Sequence, residues 1–174
     1  MSPAQNVKTE RGITKRDFVT FVLFLFGVVG IFIFRATVLD RVMVDGDSMY
    51  PTLSNSDVLW ATPFSSESVE RGDIVVVMMN GKKCIKRVVA LPLDSVVITN
   101  GTVYVNGTAE GSDGGAGTEC SLVLSENEYY VIGDNRSVSG DSRVFGSLSK
   151  DDMKGIVWIR IYPFGDAGEV RDEY

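Results

Sequence analysis

The 174-residue sequence contains no histidine and only two cysteines. The first absence removes Ser-His-Asp and Cys-His catalysis, and with them the common zinc sites built on imidazole. Any hydrolase on this chain needs another base. Cys84 and Cys120 allow at most one disulfide. An oxidising compartment would permit it, and the sequence leaves its geometry open. Positive charge is also in short supply, with 17 Lys and Arg against 23 Asp and Glu and a net charge of −6. Lys8, Arg11, Lys15 and Arg16 outweigh Glu10 and Asp17 by two charges, so residues 18–174 carry −8. Such an acidic body offers no footprint for nucleic acid, and the small cluster Lys82, Lys83, Lys86 and Arg87 does not supply one.

One stretch lacks charge altogether. Residues Phe18 to Phe34 are Phe, Val, Leu, Ile and Gly, with Thr20 the most polar. At 1.5 Å per residue a helix of that length spans roughly 25 Å, close to a bilayer core. Arg35 can snorkel to the far interface, which extends the helix to about Leu39. Four basic residues precede the run, and only Arg35 and Arg41 follow it closely. The positive-inside rule then puts the N-terminus in the cytoplasm. A cleaved secretory signal fits less well, because no small-x-small site follows and the apolar core is long. A buried core helix would show a polar face, and this run shows none. The expected organisation is a cytoplasmic tail over 1–17, a transmembrane anchor over 18–38 and an extracytoplasmic domain over 39–174.

That domain reads as all-β. Arg41–Asp45 is a strand candidate with Val42 and Val44 on one face, and Val58–Ala61 is another. Ile74–Met79 is a continuous apolar run of the kind found in a buried strand. Asn80-Gly81 is a hairpin turn leading to Cys84–Leu91. Val96–Thr99 and Val103–Val105 are joined through Asn100-Gly101, and Asn106-Gly107 ends that hairpin. Residues 107–119 form a polar, glycine-rich loop. Glu128–Ile132 and Ile156–Tyr162 complete the list, and Pro163 stops the last strand. No interior segment has a helical period. Frequent short strands with turn signals predict an antiparallel barrel or sandwich.

Without histidine, a serine beside a lysine is the natural dyad to seek. Ser48 sits between Gly46 and Pro51, on a sharp turn that can present a hydroxyl to a cleft and nearby N–H groups to an oxyanion. On these residues alone a turn serine bonded to its own backbone is the plainer reading. Lys86 lies on a strand whose alternation puts Cys84 and Val88 on the same face. Burial there would lower the amine pKa, as a general base requires. The plainer reading is a solvated lysine in a basic patch. Gly133 to Arg143 is a polar loop after an apolar strand, where Ser139 could orient a neutral amine and Asp141 could pair with Arg143.

Taken together, these segments resemble bacterial type I signal peptidases, in the Gram-positive-type branch. Gly46-Asp47-Ser48-Met49-Tyr50-Pro51-Thr52-Leu53 resembles the nucleophile box, Arg71-Gly72-Asp73-Ile74-Val75 the next box, and Lys86-Arg87-Val88-Val89-Ala90-Leu91-Pro92 the lysine box. Gly133-Asp134-Asn135-Arg136 through Ser139-Gly140-Asp141-Ser142-Arg143 resembles the last box, and Val157 to Phe164 the final strand. The resemblance implies Ser48 as nucleophile, Lys86 as general base and Ser139 as the residue that orients it. It implies Asp141–Arg143 and Asp134–Arg87 as structural ion pairs, and the Ser48 N–H as an oxyanion donor. Gly46 stands where some relatives place a serine hydroxyl. Val42, Val44, Met49, Leu53 and Ile85 would line shallow pockets for Ala-x-Ala, although strict alternation turns Ile85 away from Lys86. The chain departs from the family where it reads Leu91-Pro92-Leu93-Asp94 instead of Leu-Pro-Gly-Asp, and at Ala90, a common glycine. The implied partners are signal peptides and the lipid bilayer, with no nucleic acid, metal or cofactor, and the chain is expected to act as a monomer. Two rivals are a catalytically silent assembly factor of the same family and a self-cleaving Ser/Lys regulator of the SOS-repressor type.

Overall fold

The computed structural model describes residues 14–38, 40–110 and 119–170, and for residues 32–38 the backbone alone. Most of the expected N-terminal tail, with Lys8 and Arg11, lies outside the described residues. So does most of the expected loop, from 111 to 118.

Helix α1 runs over Lys15–Val38. Thr14 starts it through a reciprocal cap. Its hydroxyl accepts from the Asp17 N–H at 3.3 Å, and the Asp17 carboxylate accepts from the Thr14 N–H at 3.0 Å. Among the described residues no helix is long and apolar enough to cross a membrane. The described side chains of α1 end at Ile31, within the anchor expected over 18–38.

The rest is a mostly antiparallel β domain. Its strands are β1 (Asp40–Met43), β2 (Val58–Pro63), β3 (Ile74–Met79), β4 (Lys82–Ala90), β5 (Ser95–Thr99), β6 (Thr102–Val105), β7 (Thr108–Ala109), β8 (Cys120–Val123), β9 (Glu128–Ile132), β10 (Leu148–Ser149), β11 (Met153–Tyr162) and β12 (Gly168–Glu169). The larger sheet has the order β1-β2-β11-β3-β4-β9-β10, with β12 also on β11, and the smaller has the order β7-β6-β5-β8. The run Ile74–Met79 is apolar throughout because β3 is covered on both faces. Ile74 and Val76 pack with Val42, Leu59 and Ile85, while Val75 and Val77 pack with Val88, Tyr129 and Val131. The smaller sheet closes over Tyr130 and Ile132 with Val96, Ile98 and Val105.

Both expected Asn-Gly hairpins form, with positive φ at Asn80 and Gly81 (49° and 75°) and at Asn100 and Gly101 (50° and 76°). That pair of left-handed residues matches the twist of the flanking strands. Asn106-Gly107 ends the second hairpin as expected. It makes a third turn of the same kind, and Thr108–Ala109 pairs back on β6. A two-residue strand carries no alternation to read, which is why β7, β10 and β12 were not expected. Strand β8 follows a glycine-rich segment that masked it, and helix α2 (Ser142–Phe145) is a single turn without a period. Cys84 and Cys120 are both free, on different sheets.

The turn after Pro92 keeps the backbone that a glycine would suit. Leu93 has φ 71° and its side chain is exposed. An L-residue there is strained by about 1–2 kcal/mol, partly offset by glycine's larger entropy loss. Leu93→Gly is therefore expected to stabilise the domain by roughly 1 kcal/mol, read as a higher urea midpoint.

Candidate active site

Two unpaired strand edges frame the site. β1 is the edge strand of the larger sheet. In β4, residues 87–90 pair with β9, while Lys82–Lys86 pair only with β3 among the described residues. A cleft of about 380 Å³ lies between Arg41–Asp45 on one side and Lys82–Lys86 on the other, with Ser48 and Met49 at its end. Because the cleft runs along the edge of β4, Ile85 and Lys86 both border it despite their alternation. Val42, Val44 and Met49 border it too. Leu53 does not; it lies fully buried in the core with Val42, Val44 and Met49.

Ser48 follows Gly46, whose φ of 92° lets the chain leave β1 sharply. The Gly46 N–H is taken by Asn55 Oδ1 at 3.0 Å. The Ser48 carbonyl accepts from the Asn135 N–H at 3.0 Å, which ties the Ser48 turn to the loop after β9. The Ser48 N–H donates to no acceptor among the described residues, so it is open to an oxyanion.

Ser48 Oγ and Lys86 Nζ lie 2.8 Å apart, in hydrogen-bond contact. Lys86 is 3% exposed. Burial pushes its amine below the ordinary value, against the pull of Cys84, Asp141 and Asp134, which favour the charged form; the Arg143 guanidinium adds to the lowering. Only the neutral amine can accept a proton. The rate kcat/KM should therefore rise with pH through one ionisation whose midpoint lies below 10.5, the ordinary lysine value. A pH–rate profile checks this, and an acid limb at or above that value would remove Lys86 as base.

Two buried ion pairs brace the dyad. Arg87 holds Asp134 through Nε at 2.7 Å and Nη2 at 2.6 Å, and its Nη1 donates to the Gly72 carbonyl at 2.6 Å. It thus links three of the motif segments. Arg143 holds Asp141 in the same two-pronged way, with both bonds at 2.9 Å, and donates to the Arg136 carbonyl at 2.7 Å. Burial is the largest influence on the Asp141 carboxyl and would raise it, but the hydrogen bonds and charge of Arg143 and the other donors around it together hold the group below its ordinary range. Asp141 also accepts from the Gly133 N–H at 3.1 Å.

Ser139 is buried beside this network, yet its hydroxyl has no hydrogen-bond partner among the described residues. The bond to the Lys86 amine implied by the family resemblance is not formed in this structure. Gly133, the first residue of the last motif segment, is tightly enclosed. It follows Ile132, the partner of Arg87, and so lies beside Lys86. A Cβ there would collide with Ser139 Oγ and stand 2.5 Å from the Ser48 carbonyl oxygen. The signal available in the sequence was a glycine directly after an apolar strand. Among the described residues no cluster could hold a metal ion.

The family described as signal peptidase, peptidase S26, matches residues 15–162. Signal peptidase IB of Staphylococcus aureus (strain COL) is 31% identical over 148 residues, covering 71% of this chain and 78% of that protein. Signal peptidase I S of Bacillus subtilis (strain 168) is 33% identical over 142 residues, covering 71% and 77%. A crystal structure of a signal peptidase I from Enterococcus faecalis V583 aligns with a TM-score of 0.43 at 27% identity, over 51% of this chain and 96% of that one.

Proposed function

We propose, for a chain that belongs to the peptidase S26 family of signal peptidases, that it removes N-terminal signal peptides from exported pre-proteins with a Ser48–Lys86 dyad. The observation that carries this reading is the 2.8 Å contact between Ser48 Oγ and a buried Lys86 amine held below its ordinary pKa. The substrate lies extended in the cleft and pairs with the free edge of β1, β4 or both. Small side chains one and three residues before the cut face Val42, Val44, Met49 and Ile85, with Leu53 beneath them.

The neutral amine of Lys86 takes the proton of Ser48 as Oγ attacks the scissile carbonyl carbon. The Ser48 N–H receives the oxyanion. Collapse breaks the peptide bond, and the departing amine takes its proton from the Lys86 ammonium. The acyl-enzyme is then opened by water, with Lys86 again accepting a proton and Ser48 restored. The Ser139 hydroxyl, buried without a hydrogen-bond partner and packed around Gly133 with the Ser48 carbonyl, would turn onto the amine to steady it during these transfers.

The N-terminal segment serves as a single-pass anchor over residues 18–38, with the tail in the cytoplasm and residues 39–174 outside. Support comes from the uncharged run Phe18–Phe34 and the basic residues before it. Such an anchor raises the effective concentration of membrane-held substrate at the cleft. The enzyme acts as a monomer. A silent assembly factor would have no reason to keep a serine and a buried lysine in contact, and no segment of this sequence suggests DNA binding.

The test is cleavage of purified pre-proteins by the full chain in detergent, with the new N-terminus sequenced. A product that begins directly after Ala-x-Ala supports the proposal. Several intact pre-proteins after prolonged incubation would favour the silent relative.

A further inference from the structure

The inward-facing rows of the two cleft walls change character along their length. Asp40 and Val42 of β1 share one face by alternation with Val44 just beyond it, and on β4 so do Lys83 and Ile85. Val42, Val44 and Ile85 pack together in one apolar cluster near the dyad. Farther from it, the same two rows end in an ion pair, with Lys83 Nζ 2.8 Å from Asp40 Oδ2. Lys83 lines the cleft, and Asp40 stands at its rim, next to Arg41, which lines it too. The two side chains are 47% and 66% exposed, so the pair is half in water.

A peptide running along this cleft has the same period of two. Residues one, three and five before the cut face the same side, and each pair of residues advances about 6.6 Å. The fifth residue then lies about 13 Å from the first, while about 10 Å of β4 separates Lys86 from Lys83. The first two inward residues lie over the apolar stretch, and the fifth is the first to reach the ions.

We infer that the Asp40–Lys83 ion pair is the subsite for the fifth residue before the cut, where it accepts a polar side chain and rejects a bulky apolar one. This rests on the reading of the cleft as the signal-peptide site. A glutamine arriving there replaces the water it displaces with its own hydrogen bonds to the carboxylate or the ammonium. A leucine strips water from both ions and returns nothing. The pair therefore works as a ruler, since the apolar core of a signal peptide must end before that position.

The experiment uses the full chain in detergent and a reporter pre-protein carrying Gln, Leu, Lys or Glu at the fifth or the sixth position before the cut. Ratios of kcat/KM are compared within each enzyme. The wild type should prefer Gln to Leu at the fifth position by about fivefold, with ratios near one at the outward-facing sixth. Lys83→Asp sets two carboxylates side by side and should prefer Lys to Glu at the fifth position by about tenfold. The Asp40→Leu, Lys83→Met double variant should prefer Leu to Gln, which gives a second reading if the first variant fails to fold. Ratios that are the same in wild type and variants, or discrimination at the sixth position instead, would overturn the inference alone. If the parent reporter with Ala at the fifth position is not cut by wild type, the proposed function falls and the inference with it.

Discussion

Lys86→Met should lower kcat/KM for pre-protein cleavage by about 10⁴-fold and at the same time make the domain more stable. The first effect follows from the loss of the group that takes the Ser48 proton, in a chain with no histidine to stand in. Ser48→Ala should be equally inactive, because the two residues act as one unit. The second effect follows from burial. Lys86 has a lower pKa in the folded chain than in the unfolded one. The unfolded state then binds the proton more tightly, so stability falls as pH drops through the ordinary lysine range toward the folded value. At neutral pH the wild type carries that penalty, and methionine removes it. The gain should be on the order of 1–2 kcal/mol at pH 7. It should shrink above about pH 10.5, where the amine is neutral in both states. Urea midpoints of the two proteins at both pH values read it directly. A destabilised Lys86→Met at pH 7 would mean that the amine is charged and well paired in the resting enzyme.

Gly133→Ala should cost about 10²–10³-fold in kcat/KM, although the substitution adds one methyl group and touches no substrate. That methyl would enter the space occupied by Ser139 Oγ and the Ser48 carbonyl oxygen. The carbonyl is held by the Asn135 N–H, so relief of the clash is expected to shift the Ser48 turn relative to Lys86. A displacement of about 1 Å in a reacting pair is worth roughly 10²-fold. The loss should fall mainly on kcat, because the apolar walls of the cleft are untouched. Steady-state kinetics check this, and activity within twofold of wild type would show that the loop after β9 relaxes without disturbing the dyad.

Local chemistry made much of the fold legible. The apolar run Ile74–Met79 and the segment Glu128–Ile132 appear as strands with the expected bounds, and Asn80-Gly81 and Asn100-Gly101 turn as their backbone preferences require. The site was legible in a different way. Ser48 and Lys86 are 38 positions apart, and each alone reads more readily as an ordinary turn serine or a surface lysine. Only the ordered family motifs connected them before the structure placed them in contact. What stayed hidden depends on space between segments. The role of Gly133 requires knowing that Ser48 and Ser139 crowd β9, and the free hydroxyl of Ser139 is invisible without its surroundings. Ile85 illustrates the same limit, since alternation assigns a face but not the path of a cleft along an edge.

Those open edges also bear on how the protein behaves in a crowd of its own copies. An unpaired strand is a template for any other strand, and a second molecule competes for it as readily as a pre-protein does. Strand β1 and the first half of β4 present two such templates side by side. Their far ends carry Asp40 and Arg41 on β1 and Lys82 and Lys83 on β4, two charged obstacles on each strand to edge-to-edge stacking. Charge at these ends leaves the apolar middle open to a single extended visitor while discouraging the regular pairing that leads to fibres. Colloidal stability and substrate access thus depend on the same few residues, and neutralising them to widen the range of accepted peptides would bring precipitation closer.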